Sequence, residues 1–237
     1  MRMILVAALT LMVSAAPAQA APPDPVKALK KQAAAGRGVL FTERSFKWAG
    51  VDSTWRGKGR LQYGKSGITG SEVSGTIDFP GDRPERERTI RVGGASYHRA
   101  DSLAPKMPPG KAWLKETPGR TRWLSANYVS ILNAAEPAAL AAILAGAERD
   151  GRSYRGEIPF ARLLKASPWA RATPHPKFAA DAVLSWRLDV TAGGLPYRLT
   201  TYGPGGQRLT EVRYSGWGAK VSVKAPPKDE VTTKLAG

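Results

Sequence analysis

The chain has 237 residues, with 36 Lys or Arg against 19 Asp or Glu, giving a formal charge of +17. It has no Cys and only two histidines, His98 and His175, which excludes disulfides, thiolate chemistry and multi-histidine metal centres. Apolar residues make up 42% of it, seven of them Trp, which is enough to bury the core of one domain.

Arg2 is the only charge ahead of the apolar run Ile4–Val13, which leads to Ala18-Gln19-Ala20. A short basic start, a brief apolar core and a small-x-small site predict a secretory signal peptide over residues 1–20. The run is shorter than the roughly 20 residues needed to cross a bilayer. Residues 21–237 are expected to form a single domain, with a tail from about residue 225, and the mature protein is expected to be secreted and extracytoplasmic. The positive charge is spread along the chain, with no basic tail of the nucleic-acid-binding kind. In an exported protein the surplus suits an anionic membrane surface or wall polymer as partner, with no nucleic acid, and solubility alone accounts for it equally well.

The first predicted helix is capped by Asp24, opens on Pro25, turns Val26, Leu29 and Ala33 to one side and stops at Gly36. Strands follow. Between Ser53 and Tyr63, Trp55, Leu61 and Tyr63 alternate with Arg56, Lys58, Arg60 and Gln62, the period-two pattern of a sheet wet on one face. Val73, Ile77 and Phe79 repeat it, as do Tyr154 with Ile158, Leu184, Trp186, Leu188 and Val190, and Val221 with Val223. Weaker strands are expected near Phe41–Trp48, Arg86–Val92, Ser96–Arg99, Trp113–Lys115, Tyr197–Tyr202 and Leu209–Trp217. Turns at Gly64–Gly67, Pro80–Asp82, Gly193-Gly194 and Gly203–Gly206 separate them, which predicts an antiparallel meander. A second helical region starts near Ser125, breaks at Pro137 and resumes through Leu140, Ile143 and Leu144. A third covers Phe160–Ala166, and Ala166–Phe178 reads as an irregular connection.

About ten strands, spaced about 4.8 Å apart and roughly 20 Å long, present on the order of 950 Å² on one face. Three short helices cover about 450 Å². The apolar face exceeds what the helices can shield. The expected fold is therefore α+β, mostly β: a curved antiparallel half-barrel sheet wrapped over a few helices, with a partly filled apolar interior. Gly57, Gly59 and Gly75 suit the curvature.

Catalytic motifs are missing. There is no Gly-x-Ser-x-Gly elbow and no Ser-x-x-Lys, and Gly57-Lys58-Gly59 lacks the third glycine of a dinucleotide fingerprint. His98 reads as a half-exposed strand residue and His175 as a loop residue. Glu85-Arg86-Glu87-Arg88 reads as the solvated start of a strand, and Trp55 and Trp186 as core. Trp123 and Trp169, near irregular segments, are the better candidates for a rim. No catalytic residue, metal or cofactor is expected, and a wall-polymer hydrolase has no motif behind it.

Several segments carry a resemblance. Gly93-Gly94-Ala95-Ser96-Tyr97 followed by Gly110-Lys111-Ala112-Trp113-Leu114-Lys115, then Tyr154-Arg155-Gly156 with Ile158 and Leu163-Leu164, resemble the central hairpin and the strand-to-helix passage of the LolA-like and LppX/LprG-like lipoprotein-carrier family of bacterial envelopes, in its actinobacterial form. Gly194-Leu195-Pro196-Tyr197-Arg198-Leu199 and Tyr214-Ser215-Gly216-Trp217-Gly218 resemble its late turn and its ending. The resemblance runs from about Gly38 to Val231 and implies a half-barrel whose cavity holds acyl chains. Two departures stand out: the lipobox cysteine is absent, so no lipid anchor is expected, and Gly216 replaces an Asp.

The expected function is that of a secreted, non-enzymatic binder or carrier of lipid or lipoprotein acyl chains; the alternative is an envelope sensor that binds a membrane protein partner. The inward strand positions Trp55, Leu61, Val73, Ile77, Ile90, Val92, Leu184, Trp186 and Leu188 are the candidate cavity lining, with Leu140, Ile143 and Leu144 as a helical lid.

Overall fold

The computed structural model describes residues 23–46, 52–65, 67–117, 130–173 and 181–236. The expected leader, Trp123, Ser125 and His175 lie outside these residues. Among the described residues, twelve strands form one open, curved sheet that does not close into a barrel. In chain order they are β1 Arg37–Ser45, β2 Thr54–Gly64, β3 Gly67–Asp78, β4 Glu85–Val92, β5 Ala95–Ala100, β6 Trp113–Glu116, β7 Glu148–Asp150, β8 Ser153–Pro159, β9 Val183–Val190, β10 Pro196–Tyr202, β11 Arg208–Lys220 and β12 Val231–Thr232. Helices α1 Pro25–Gln32, α2 Pro137–Leu144, α3 Phe160–Ala166 and α4 Pro168–Ala172 pack on one face.

The spatial order is β12-β6-β5-β4-β3-β2-β1-β11-β10-β9-β8-β7. Two meanders, β1 to β6 and β7 to β11, are joined where β1 pairs antiparallel with β11. Only the short β12 runs parallel to its neighbour, β6. The expected turns fall between consecutive strands, so the antiparallel pattern follows from local turn chemistry.

Two of the helices, α1 and α4, start at a side-chain cap. Asp24 Oδ1 accepts from the backbone N–H of Val26 at 2.8 Å and of Lys27 at 3.2 Å, ahead of Pro25. The stretch expected to be irregular contains α4. There Ser167 Oγ accepts from Ala170 N at 2.9 Å and Pro168 occupies the first turn, a cap and a proline in the order that starts a helix.

The principal core lies between the inner face of the sheet and the helices. It includes Leu29, Val39, Phe41, Trp55, Leu61, Tyr63, Ile77, Leu140, Ile143, Trp186 and Leu188. Gly59 and Gly75 let the aromatic rings lie flat on this face. A Cβ on Gly59 would stand 2.4 Å from the Phe41 ring, and one on Gly75 would stand 2.2 Å from the Arg56 carbonyl and 2.6 Å from the Trp55 indole.

A second, smaller core occupies the opposite face. Ile90, Trp113, Val221 and Val223 are buried together there, and the segment from Val221 onward crosses the sheet to cover them. Val223 N donates to Gln62 Oε1 at 2.7 Å, and Ala112 N to the Glu230 carbonyl at 2.9 Å. Val221–Val223, expected as a strand, is therefore a strap across the sheet and not a rung of it. The stretch expected as a tail contributes β12.

Candidate functional site

A cleft of about 600 Å³ opens between the inner face and the helices. Ile68 and Ser71 of β3 and Arg91 of β4 form one wall, with the β4–β5 turn at Gly94 and Ala95. Ala33 beyond α1, Pro137 and Ala138 of α2, and Trp169 and Ala172 of α4 form the other. Lys30 and Lys65, both exposed, stand at its margin.

The register explains why the cleft is apolar on one side and polar on the other. Residues paired across strands share a face, so Leu61, Ser71, Arg91, Ser96 and Glu116 form one inward row from β2 to β6. The next inward row is Gly59, Val73, Thr89, His98 and Leu114. The inner face thus changes from aliphatic to polar between β3 and β4. Thr89 Oγ1 lies 3.1 Å from His98 Nδ1. Burial, aided by the Arg91 charge, pushes the His98 pKa down to about 3, so this imidazole is neutral.

Arg91 is half-buried as a residue, and its guanidinium end packs inside. The guanidinium carbon lies 5.4 Å from the centroid of the Trp169 ring, and Nη1 donates to Thr173 Oγ1 at 3.4 Å. Burial lowers its pKa to about 10. Glu136 also lines the cleft, but its oxygens are engaged: it accepts from the Ser167 hydroxyl and from Trp169 N, the latter at 3.1 Å. Desolvation raises its pKa above the usual carboxylate range. The Trp169 indole N–H donates to the Ser130 carbonyl at 3.2 Å, which fixes the ring at the cleft wall.

Behind Trp169, a buried polar clasp ties residues 130–136 to the sheet. Ser130 N donates to the Glu43 carboxyl on β1. Tyr63 Oη donates to the Ala135 carbonyl at 2.7 Å, and Tyr214 Oη donates to Asn133 Oδ1 at 3.1 Å while accepting from Ala134 N at 3.0 Å. Glu43 is 4% exposed, and burial raises its pKa to about 7.

Of the residues expected to line a cavity, Val92 borders this cleft at its edge but is in phase with Ile90 and packs against the second core. Trp55, Leu61, Val73, Ile77, Leu140, Ile143, Trp186 and Leu188 lie together in the principal core, and Leu144 and Leu184 pack against it half-buried. Ile90 faces the other way, opposite Glu72 and Tyr97, into the second core. Trp169, expected at a rim, does border the cleft. Arg91, Glu136, Ile68 and Ala138 were not legible as site residues. The only local sign for Arg91 is its period-two phase with Thr89 and Glu87, which in isolation reads as a solvated face.

The outer face is rich in arginine. Single carboxylates are shared there: Glu72 by Arg60 and Arg88, Glu211 by Arg44 and Arg213, and Asp189 by Arg187 and Arg198. Two cations per anion leave that face net positive. Among the described residues, no helix is long and apolar enough to cross a membrane, and no cluster of His, Asp and Glu has the makings of a metal site.

No family model and no curated protein matches this chain. Among solved structures it is similar to MucB in complex with MucA(peri), at 15% identity over 87% of this chain and 57% of that one, with a TM-score of 0.32. It is also similar to the Pseudomonas aeruginosa MucA/MucB complex, at 16% identity over 87% of this chain and 59% of that one, with a TM-score of 0.31. A third similar structure is the hypothetical protein CT021 from Chlamydia trachomatis, at 8% identity over 86% and 98% of the two chains, with a TM-score of 0.32. The chain thus spans less than two thirds of the two MucB chains. At such TM-scores none of these likenesses bears on what this chain binds.

Proposed function

We propose that the protein is an exported, non-enzymatic binder of acyl chains, holding lipid or the acylated part of a lipoprotein. The observation that carries this reading is the cleft of about 600 Å³ between the inner face of the sheet and α1, α2 and α4. Its volume falls within the roughly 300–1,000 Å³ of small-molecule sites, and its walls at Ile68, Ala138 and Trp169 are apolar or aromatic. Each methylene taken out of water there contributes about 0.8 kcal/mol, so a chain of several offsets its ordering cost. The signal-like composition of residues 1–20 supports an activity outside the cytoplasm.

The test is organic extraction and mass spectrometry of the purified mature protein, alongside uptake of a fluorescent fatty acid. Co-purifying lipid or saturable uptake is expected. Lipid-free protein that takes up no acyl probe would overturn the reading. Recovery of a membrane-anchored protein by that same lipid-free material would favour the sensor alternative.

A further inference from the structure

Arg91 presents an unusual balance of charge. It is a cation whose guanidinium is packed against Trp169 and Thr173 at the wall of an apolar-sided cleft, and no carboxylate pairs with it among the described residues. Nine arginines of the sheet, Arg44, Arg56, Arg60, Arg86, Arg88, Arg155, Arg187, Arg198 and Arg213, hold carboxylates although they lie on more exposed surface; Arg37, Arg99 and Arg149, which hold none among the described residues, are exposed to water. Carboxylates near Arg91 are occupied elsewhere. Glu136, on the same cleft, spends its oxygens on Ser167 and Trp169 N, and Glu116 stands two strands away along the row. His98 offers no counter-charge either: burial keeps its imidazole neutral, with the Arg91 charge acting in the same direction.

A desolvated guanidinium with unspent donors costs stability unless something anionic completes it. Its planar fork suits a carboxylate or a phosphate, which accept two parallel N–H bonds. Lys30 and Lys65 at the margin attract the same charge. From these placements we infer that Arg91 is an anion anchor inside the cleft, so that the bound acyl compound enters with an anionic head, carboxylate or phosphate, seated against Arg91 and Trp169 and its chain along Ile68 and Ala138. This inference rests on the acyl-binding reading of the cleft and adds to it the chemistry and direction of the ligand.

The test compares hexadecanoate with hexadecanol, equal in chain and different in charge, on the full mature protein and on Arg91→Gln and Arg91→Lys, with inorganic phosphate as a competitor. One charge-assisted contact of this kind predicts about tenfold or more tighter binding of hexadecanoate to the wild type. Arg91→Gln is expected to abolish that preference by weakening hexadecanoate far more than hexadecanol, and Arg91→Lys to keep part of it. Phosphate should weaken hexadecanoate binding and leave hexadecanol untouched. Equal affinity of the wild type for acid and alcohol would overturn the anchor and leave acyl binding standing. Failure of both compounds to bind would overturn both. Phosphate that binds through Arg91 without displacing hexadecanoate would show a free-anion site and overturn the head-inward ligand. Should Arg91→Gln not fold, the wild-type preference and the Arg91→Lys variant still decide the matter.

Discussion

Glu43 links a single residue to the behaviour of the whole fold. Its carboxyl is sealed under β1, and its pKa is raised from the ordinary carboxylate value to about 7 by burial, against the partial relief of the Ser130 N–H. A carboxyl whose folded pKa exceeds its unfolded one stabilises the fold fully at low pH, and that contribution is lost as pH rises through the folded value. The window is therefore about pH 4.5 to 7, and the stake is about 3 kcal/mol at most. Glu136 acts in the same direction. Glu72, Asp189 and Glu211 oppose it. Burial alone would raise them, but hydrogen bonds and arginine charge hold them low, so their contribution is present at neutral pH and fails in acid. The thermal midpoint of the wild type should rise as pH falls from 8 to about 5 and drop below about 4. Glu43→Gln should flatten the upper slope, leaving only the part owed to Glu136. An unchanged slope in that variant would show that Glu43 is not held protonated by the clasp. None of this was legible beforehand: Glu43 alternates correctly on β1, but only the 130–136 segment, remote in sequence, seals it.

At the scale of elements, local chemistry was a good guide and long-range cover was not. The Asp24 cap, the Phe160–Ala166 helix and the glycine turns were legible because each depends on neighbours within a few residues. Ile90 and Val92 alternate with Thr89 and Arg91, and nothing local says which set faces the helices. The strap from Val221 decides it by supplying an apolar cover to the outer face, which frees the inner face of β4 to carry Thr89 and Arg91. The glycines in β2 and β3 were read as aids to curvature. Their closer role is to make room for aromatic rings, and that role yields a graded test. Gly75→Ala drives a Cβ into the Arg56 carbonyl and the Trp55 ring and should destabilise by roughly 1–3 kcal/mol in urea unfolding. Gly193→Ala meets only Thr191 Oγ1 at 3.8 Å and should be close to neutral. Equal effects at the two sites would mean that the sheet gives way locally instead of being held by its ring contacts.

For the molecule as a whole, the area argument was right in direction and coarse in place. A twelve-stranded sheet with four short helices does leave inner surface uncovered, but not over the aliphatic centre. Trp55, Leu61, Trp186 and Leu188 are packed solid, and the opening lies toward the β3–β5 end, where the inner face turns polar. This offset follows from crowding: the large rings of β2 and β9 fill the centre, whereas Ser71 and Ala95 leave room farther along. Greasy alternation alone marks the core, and the cleft falls beside it. Ala138, exposed on α2 and bordering the cleft, gives the most direct test of acyl binding. In Ala138→Trp, an indole fills the opening without entering the core. Uptake of hexadecanoate should fall at least about tenfold with the unfolding midpoint unchanged. Undiminished uptake by a folded Ala138→Trp protein would contradict the assignment of this cleft as the place where acyl chains bind.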